Sequence, residues 1–290
     1  MTTDLAARHD EMLLQEFGAI RAQAAAAVAL FQEGATLPFI ARYRKEKTGG
    51  LTETQLKQLK DRLDFHEALR DRKTTVLDSI REQGALTPDL ERQIVDCVDK
   101  QRLEDLYLPF KPKRRTRAQV AREKGYGPLA DLIWAHKPAN GDAEAIAGAS
   151  DILAERIAEH APTREWVREE TLRRGRLVSK KKRGASADRS KFEMYFEFAQ
   201  PLSRLVSHQA LAVARGEKEG VLSASVEIDA APIVERLDRT FNRPQSPHTG
   251  LFRRIEQDAY ERLLAPSIES EVRAIVNERA EEEAIRVFAE

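Results

Sequence analysis

Six histidines could supply general bases or metal ligands: His9, His66, His136, His160, His208 and His248. None stands three or four residues from another, so no two share the helix face that a helix-borne metal site requires. The single cysteine, Cys97, excludes an intrachain disulfide and a cysteine-based zinc site. Its helical spacing from Leu90 and Ile94 in LERQIVDCVDK marks it as a small core residue. No glycine-rich phosphate cradle and no G-x-S-x-G nucleophile elbow occurs. The acidic run Glu281 to Glu283 lies in a charge-rich helical stretch and reads as a solvated face. The expectation is a chain without catalysis, bound metal, cofactor or small-molecule substrate.

The basic residues carry more information. Five of the seven residues in KPKRRTR are cationic: Lys111, Lys113, Arg114, Arg115 and Arg117. Pro109 and Pro112 bias this piece towards an extended backbone, and Thr116 reads as the N-cap of the helix RAQVAREKG. Cations at a helix N-terminus are unfavourable by roughly 0.3–1 kcal/mol each when exposed. Something outside that helix must therefore use the charge, either nucleic-acid phosphate or an acidic face elsewhere. A second cluster runs from Arg164 to Arg183, with nine basic residues against three acidic ones. It ends in SKKKRG, where Lys180, Lys181, Lys182 and Arg183 read as a flexible loop suited to phosphate contact or simply to solvation. A third, ARYRKEK, holds Arg42, Arg44, Lys45 and Lys47. Here Phe39, Ile40 and Tyr43 form an apolar stripe, which makes Tyr43 a core residue and not a platform for stacked bases.

The elements that position these clusters are mostly helices. Helical spacing covers 4–17 and 19–33, the second alanine-rich and open to close packing. Pro38 begins the short helix PFIARYRKE. TETQ at Thr52 to Gln55 is a capping box, opening a helix of about 30 residues whose apolar stripe drifts from Leu56, Leu59 and Leu63 to Phe65, Leu69, Val76 and Ile80. Such drift predicts different partners at its two ends. Further helices are predicted from Thr87-Pro88 and over 101–108, 117–124, 128–136, 142–148, 151–161 and 163–174. VLSASVEID has strand periodicity. The aromatic alternation of FEMYFEF, which fits a helix equally well, offers it a partner. From Ser267 to the last residue one helix runs without a stop signal, which reads either as a frayed terminal helix or as a chain cut from a longer protein.

Composition agrees with a helix-rich protein: 33% of the 290 residues are charged. Lys plus Arg and Asp plus Glu number 48 each, so attraction to nucleic acid must be local. No apolar stretch reaches 18 residues, so no membrane span is expected. Cysteine usage and the acidic N-terminus indicate the cytoplasm, without a signal peptide.

LPFIARYRKEKTGGL, LEDLYLPFKPKRRTRA, ARGEKEGVL and EEEAIRVFAE together resemble the N-terminal half of Tex, a bacterial transcription accessory protein family, and the resemblance spans essentially all 290 residues. It implies a cytoplasmic factor that binds nucleic acid in transcription and resembles a eukaryotic elongation factor. It also implies a helical region with a helix-turn-helix-like part, followed in the family by ribonuclease-H-like, helix-hairpin-helix and oligonucleotide-binding domains. The resemblance implies that the 290 residues end about where the ribonuclease-H-like domain begins. The expected fold is mainly α, with one small β pair near 192–198 and 221–229. Residues 1–200 form the helical region, and 201–290 continue it. The expected function is sequence-independent contact with RNA or DNA backbone through the three basic clusters. The alternative is an interaction scaffold whose basic loops dock onto other domains or the transcription machinery.

Overall fold

A computed structural model describes residues 2–184 and 191–289. Its architecture is mainly α with one three-stranded antiparallel sheet among the described residues, and it divides into two compact units, 1–111 and 112–290. The expected division at 200/201 falls inside the second unit, at the last residue of a paired strand.

The first unit contains α1 (Thr2–Glu16), α2 (Arg21–Gln32), α3 (Leu37–Tyr43), α4 (Glu53–Glu82), α5 (Pro88–Asp96) and α6 (Lys100–Tyr107). The capping box forms as expected: Thr52 Oγ1 accepts from the Gln55 amide at 3.2 Å, and the Thr52 amide donates to Gln55 Oε1 at 2.9 Å. The drift of the α4 stripe is explained by its neighbours. Leu56, Leu59 and Leu63 are buried with Leu13, Ala24, Ala27, Phe31 and Ile40 of α1 to α3. Towards its C-terminus, Lys73 donates to the Val95 carbonyl at 2.8 Å and Ser79 meets the Tyr107 hydroxyl at 3.0 Å. Cys97 is buried, with Sγ 3.0 Å from the Asp99 carbonyl.

The second unit contains α7 (Arg117–Glu123), α8 (Gly127–Trp134), α9 (Ala143–Ala158), α10 (Ala161–Arg174), β1 (Arg176–Lys181), β2 (Glu197–Pro201), α11 (Ser207–Lys218), β3 (Leu222–Glu227), α12 (Ala231–Phe241), α13 (Thr249–Asp258) and α14 (Ala265–Ala289). One helix, α9, replaces the two expected over 142–161. Asp142 caps it through the Ala145 amide at 2.8 Å, and mid-helix Ser150 returns its hydroxyl to the Ile146 carbonyl, leaving no polar reason for a break. Its buried Ile152, Leu153 and Ile157 belong to one core with Phe252, Ile255, Tyr260, Leu264 and Ile268. A π-helical turn over Ala259–Leu264 joins α13 to α14. Pro266 follows it; a proline has no N–H for an i→i−4 bond, and a widened turn is one way a helix continues past it.

The sheet has the order β2-β1-β3. β3 is the strand that alternation predicted. Its expected partner contributes only from Glu197 onward, because Glu193–Tyr195 form a 3₁₀ turn, and β1 lies between the two. The reading of SKKKRG as a loop is therefore corrected. Ser179, Lys180 and Lys181 are in the central strand, where Lys180 stands opposite both Glu197 and Ser223.

Two buried groups set opposite pH responses. Burial, reinforced by Lys73 and His66, lowers the His9 pKa from 6.5 to about 4. A proton then favours the unfolded chain, so this contribution is complete above pH 6.5 and is lost as pH falls towards 4. Burial, reinforced by Asp238, raises the Glu256 carboxyl from 4.5 to about 8. Its contribution is complete below pH 4.5 and is lost as pH rises through 8. The limits are about 3 and about 5 kcal/mol respectively. In urea denaturation, His9→Gln should lie closer to wild type at pH 5 than at pH 7. Glu256→Gln should gain stability over wild type at pH 8, and the gap should shrink towards pH 5.

Candidate nucleic-acid interface

The first basic surface is built by residues 37–50. α3 spans two turns, and Ile40 alone among its residues is fully buried. The chain then turns through Arg44–Gly50, where the Gly50 amide donates to the Lys45 carbonyl at 2.9 Å. Gly49 and Gly50 take φ of 58° and 82°, values that L side chains adopt only with strain. Thr48 is buried beneath the turn, its hydroxyl 3.2 Å from the Lys45 carbonyl. These contacts hold Arg42, Arg44, Lys45 and Lys47 outward; all four are exposed, and none has a carboxylate at ion-pair distance among the described residues. The expectation that Tyr43 belongs to the core is overturned: Tyr43 is 67% exposed and Phe39 41%.

The KPKRRTR segment does two different things. Thr116 caps α7 as predicted, accepting from the Gln119 amide at 3.0 Å. Lys113 pairs with Glu159 and reaches Glu155 at 4.0 Å, while Arg115 pairs with Glu123 at 2.6 Å. Burial pushes the Glu159 carboxyl up, and Lys113 works against that rise. Lys111, Arg114 and Arg117 are exposed and have no carboxylate at ion-pair distance among the described residues. Lys111, in the first unit, still contributes to lowering the Glu104 carboxyl, chiefly held down by Arg72.

The cluster from Arg164 to Arg183 separates into a buried and an exposed half. Arg164 and Arg168 are buried and converge on Glu271, Arg168 Nε at 2.9 Å. Arg164 also bonds Ser267 Oγ at 2.9 Å and the Ala158 carbonyl at 3.1 Å. Arg174 pairs with Glu170 at 2.8 Å, and Arg173 pairs with the same carboxylate. Lys180, Lys181, Lys182 and Arg183 remain exposed at the end of β1. Lys181 Nζ lies 5.6 Å from the Phe196 ring centroid, and the Lys182 amide is tied to the Val221 carbonyl at 2.8 Å. Lys180 and Lys181 project from an ordered strand, and Lys182 and Arg183 follow its end.

Sequence spacing also missed a pair of histidines. His9 and His66 bring their Nδ1 atoms to 3.4 Å, and His66 Nε2 reaches Glu16 Oε1 at 2.9 Å, with Arg62 on the same carboxylate at 2.5 Å. They are 57 positions apart, so only the packing of α1 on α4 could reveal them. Among the described residues, no group of three or more His, Cys, Asp and Glu side chains is placed to hold a metal ion. No helix among them is long and apolar enough to cross a membrane.

Two family models match the chain, one in each unit: the Tex-like protein N-terminal domain over residues 7–81 and the Tex central region-like model over 129–288. Protein tex of Bordetella pertussis is 42% identical over 98% of this chain and 40% of its own length. Transcriptional accessory protein Tex of Neisseria gonorrhoeae is 43% identical over 78% of this chain and 32% of its own. S1 RNA-binding domain-containing protein 1 of Pongo abelii is 28% identical over 90% of the chain and 29% of its own. The chain spans about two fifths of the length of the curated bacterial relatives it matches first.

Replacing Glu271 by Ala leaves two buried guanidinium groups facing each other without their shared carboxylate. Breaking a buried pair from one side costs about 3–5 kcal/mol. Glu271→Ala should lower the urea midpoint accordingly, whereas Glu123→Ala, which unpairs only exposed Arg115, should change stability by less than about 1 kcal/mol.

Proposed function

The chain belongs to the Tex family, and from that premise we propose that it is a non-catalytic module of a cytoplasmic transcription accessory factor that grips nucleic-acid backbone without reading sequence. One observation carries this reading. In a chain with equal numbers of cationic and acidic residues, the exposed cations Arg42, Arg44, Lys45, Lys47, Arg114, Arg117 and Lys180 to Arg183 lack ion-pairing carboxylates among the described residues. Exposed like charges held on ordered backbone repel one another and favour a polyanion, whose phosphates they neutralise while releasing counterions. Such contacts position the backbone and carry no sequence information. The S1 RNA-binding name of a distant relative is compatible with an RNA ligand.

A second reading has its own support. Lys113 and Arg115 are held by carboxylates of their own unit, which is how basic loops dock onto acidic protein surfaces. Under it, the segment is an interaction scaffold for other domains or the transcription machinery.

Titration of labelled single-stranded RNA and duplex DNA at several salt concentrations separates the two. Neutralising about four phosphates gives a log–log slope of roughly −3 to −4 on duplex DNA. The Arg42→Gln, Lys45→Gln, Lys47→Gln, Arg114→Gln, Arg117→Gln variant should bind more weakly with a flatter slope. Lys113→Gln, Arg115→Gln should stay close to wild type. Unchanged affinity in the first variant overturns phosphate binding. No affinity at moderate salt, with association to the separately expressed C-terminal part of a relative, establishes the scaffold.

A further inference from the structure

We propose that Phe39 and Tyr43 form a stacking platform for the bases of single-stranded nucleic acid; this rests on the backbone-binding reading and adds the class of strand it prefers. The two residues stand one helical turn apart on α3, their ring centroids 5.4 Å apart and their planes inclined by 45°. The Arg44 guanidinium lies 5.2 Å from the Phe39 centroid, which braces that ring and adds a cationic face beside it. Ile40 alone among the α3 residues is fully buried, so the outer ridge of the helix is free of that duty. Neighbouring exposed rings are disfavoured in water and gain when another planar surface covers them.

The setting selects the planar surface. Within residues 37–51 there are four cations and one acid, Glu46. The cations leave a helix end and a turn held by buried Thr48 and by two glycines in left-handed conformations, so their placement relative to the rings is defined. An apolar protein segment would cover the rings and leave those charges without partners. A nucleic-acid strand satisfies both: its bases stack on the rings in a sequence-tolerant way, and its phosphates meet Arg42, Arg44, Lys45 and Lys47. Bases within a duplex are already stacked on one another, so the platform discriminates in favour of single strands.

The test uses fluorescence anisotropy with a 15-nucleotide single strand, a blunt duplex and an abasic strand carrying the same phosphates. Tyr43, the more exposed ring, is the residue to change, and circular dichroism melts check that the variant folds. Tyr43→Ala should lower single-strand affinity about tenfold and leave duplex affinity, abasic-strand affinity and the salt slope unchanged. Tyr43→Trp should restore single-strand binding. Equal loss on single strand and duplex, or no loss on either, overturns the platform. If Tyr43→Ala is silent while Arg42→Gln, Lys45→Gln, Lys47→Gln binds more weakly, backbone binding stands and stacking falls. If the wild-type chain binds none of the three, both fall.

Discussion

Two guanidinium groups buried against one carboxylate organise the second unit. Arg164 and Arg168 leave α10 one turn apart and converge on Glu271 of α14. In a low-dielectric interior an unpaired charge is costly, so this clamp fixes the two helices in one register. The rest of α14 extends the scheme. Glu269 accepts from the Val226 amide of β3 at 2.9 Å, Arg273 pairs with Glu217 of α11 and reaches the Ala224 carbonyl at 3.2 Å, and Glu283 receives the Ser207 hydroxyl at the start of α11. A helix whose sequence looks like solvated charge is thus the spine on which α10, α11 and the sheet are hung. The direct continuation of α10 into β1 lets that spine aim Lys180 to Arg183.

The helices were largely legible because their signals are local. Thr52 with Gln55, Thr87 and Thr116 cap the helices that begin where the sequence places them, whereas the helix capped by Asp142 runs on through the break expected after 148. What escaped is what depends on distant partners. β1 is a strand because Glu197–Pro201 and Leu222–Glu227 flank it on both sides; its own lysines argue for a loop. Arg164 and Arg168 look like members of a basic surface until Glu271, about a hundred positions later, supplies their counter-charge. His9 meets His66 only when α1 packs on α4.

Tyr43 was misjudged for a geometric reason. An α-helix turns about 100° per residue, so Phe39 and Tyr43 lie about 40° apart, while Ile40 is displaced by about 60–100° from both. Over several turns all three could contribute to one broad apolar face. α3 has only two turns, and only its Ile40 side enters the core. The apolar stripe is therefore two surfaces, one structural and one exposed, and the cations flank the exposed one.

Burial and pairing also reorder the basic clusters. By charge density KPKRRTR is the strongest candidate, since its cations precede a helix N-terminus that favours negative charge. In the folded unit, Lys113 and Arg115 already have carboxylates, and part of that misplaced charge is offset within the protein. ARYRKEK has a lower density, yet all four of its cations lack such partners among the described residues, and they share their surface with two exposed rings. A local excess of charge that the fold leaves uncompensated can act on an outside ligand; one that the fold has neutralised mainly holds the fold. By that criterion the helix-and-turn of residues 37–50, and not the proline-flanked segment, is the stronger site for a polyanion with exposed bases.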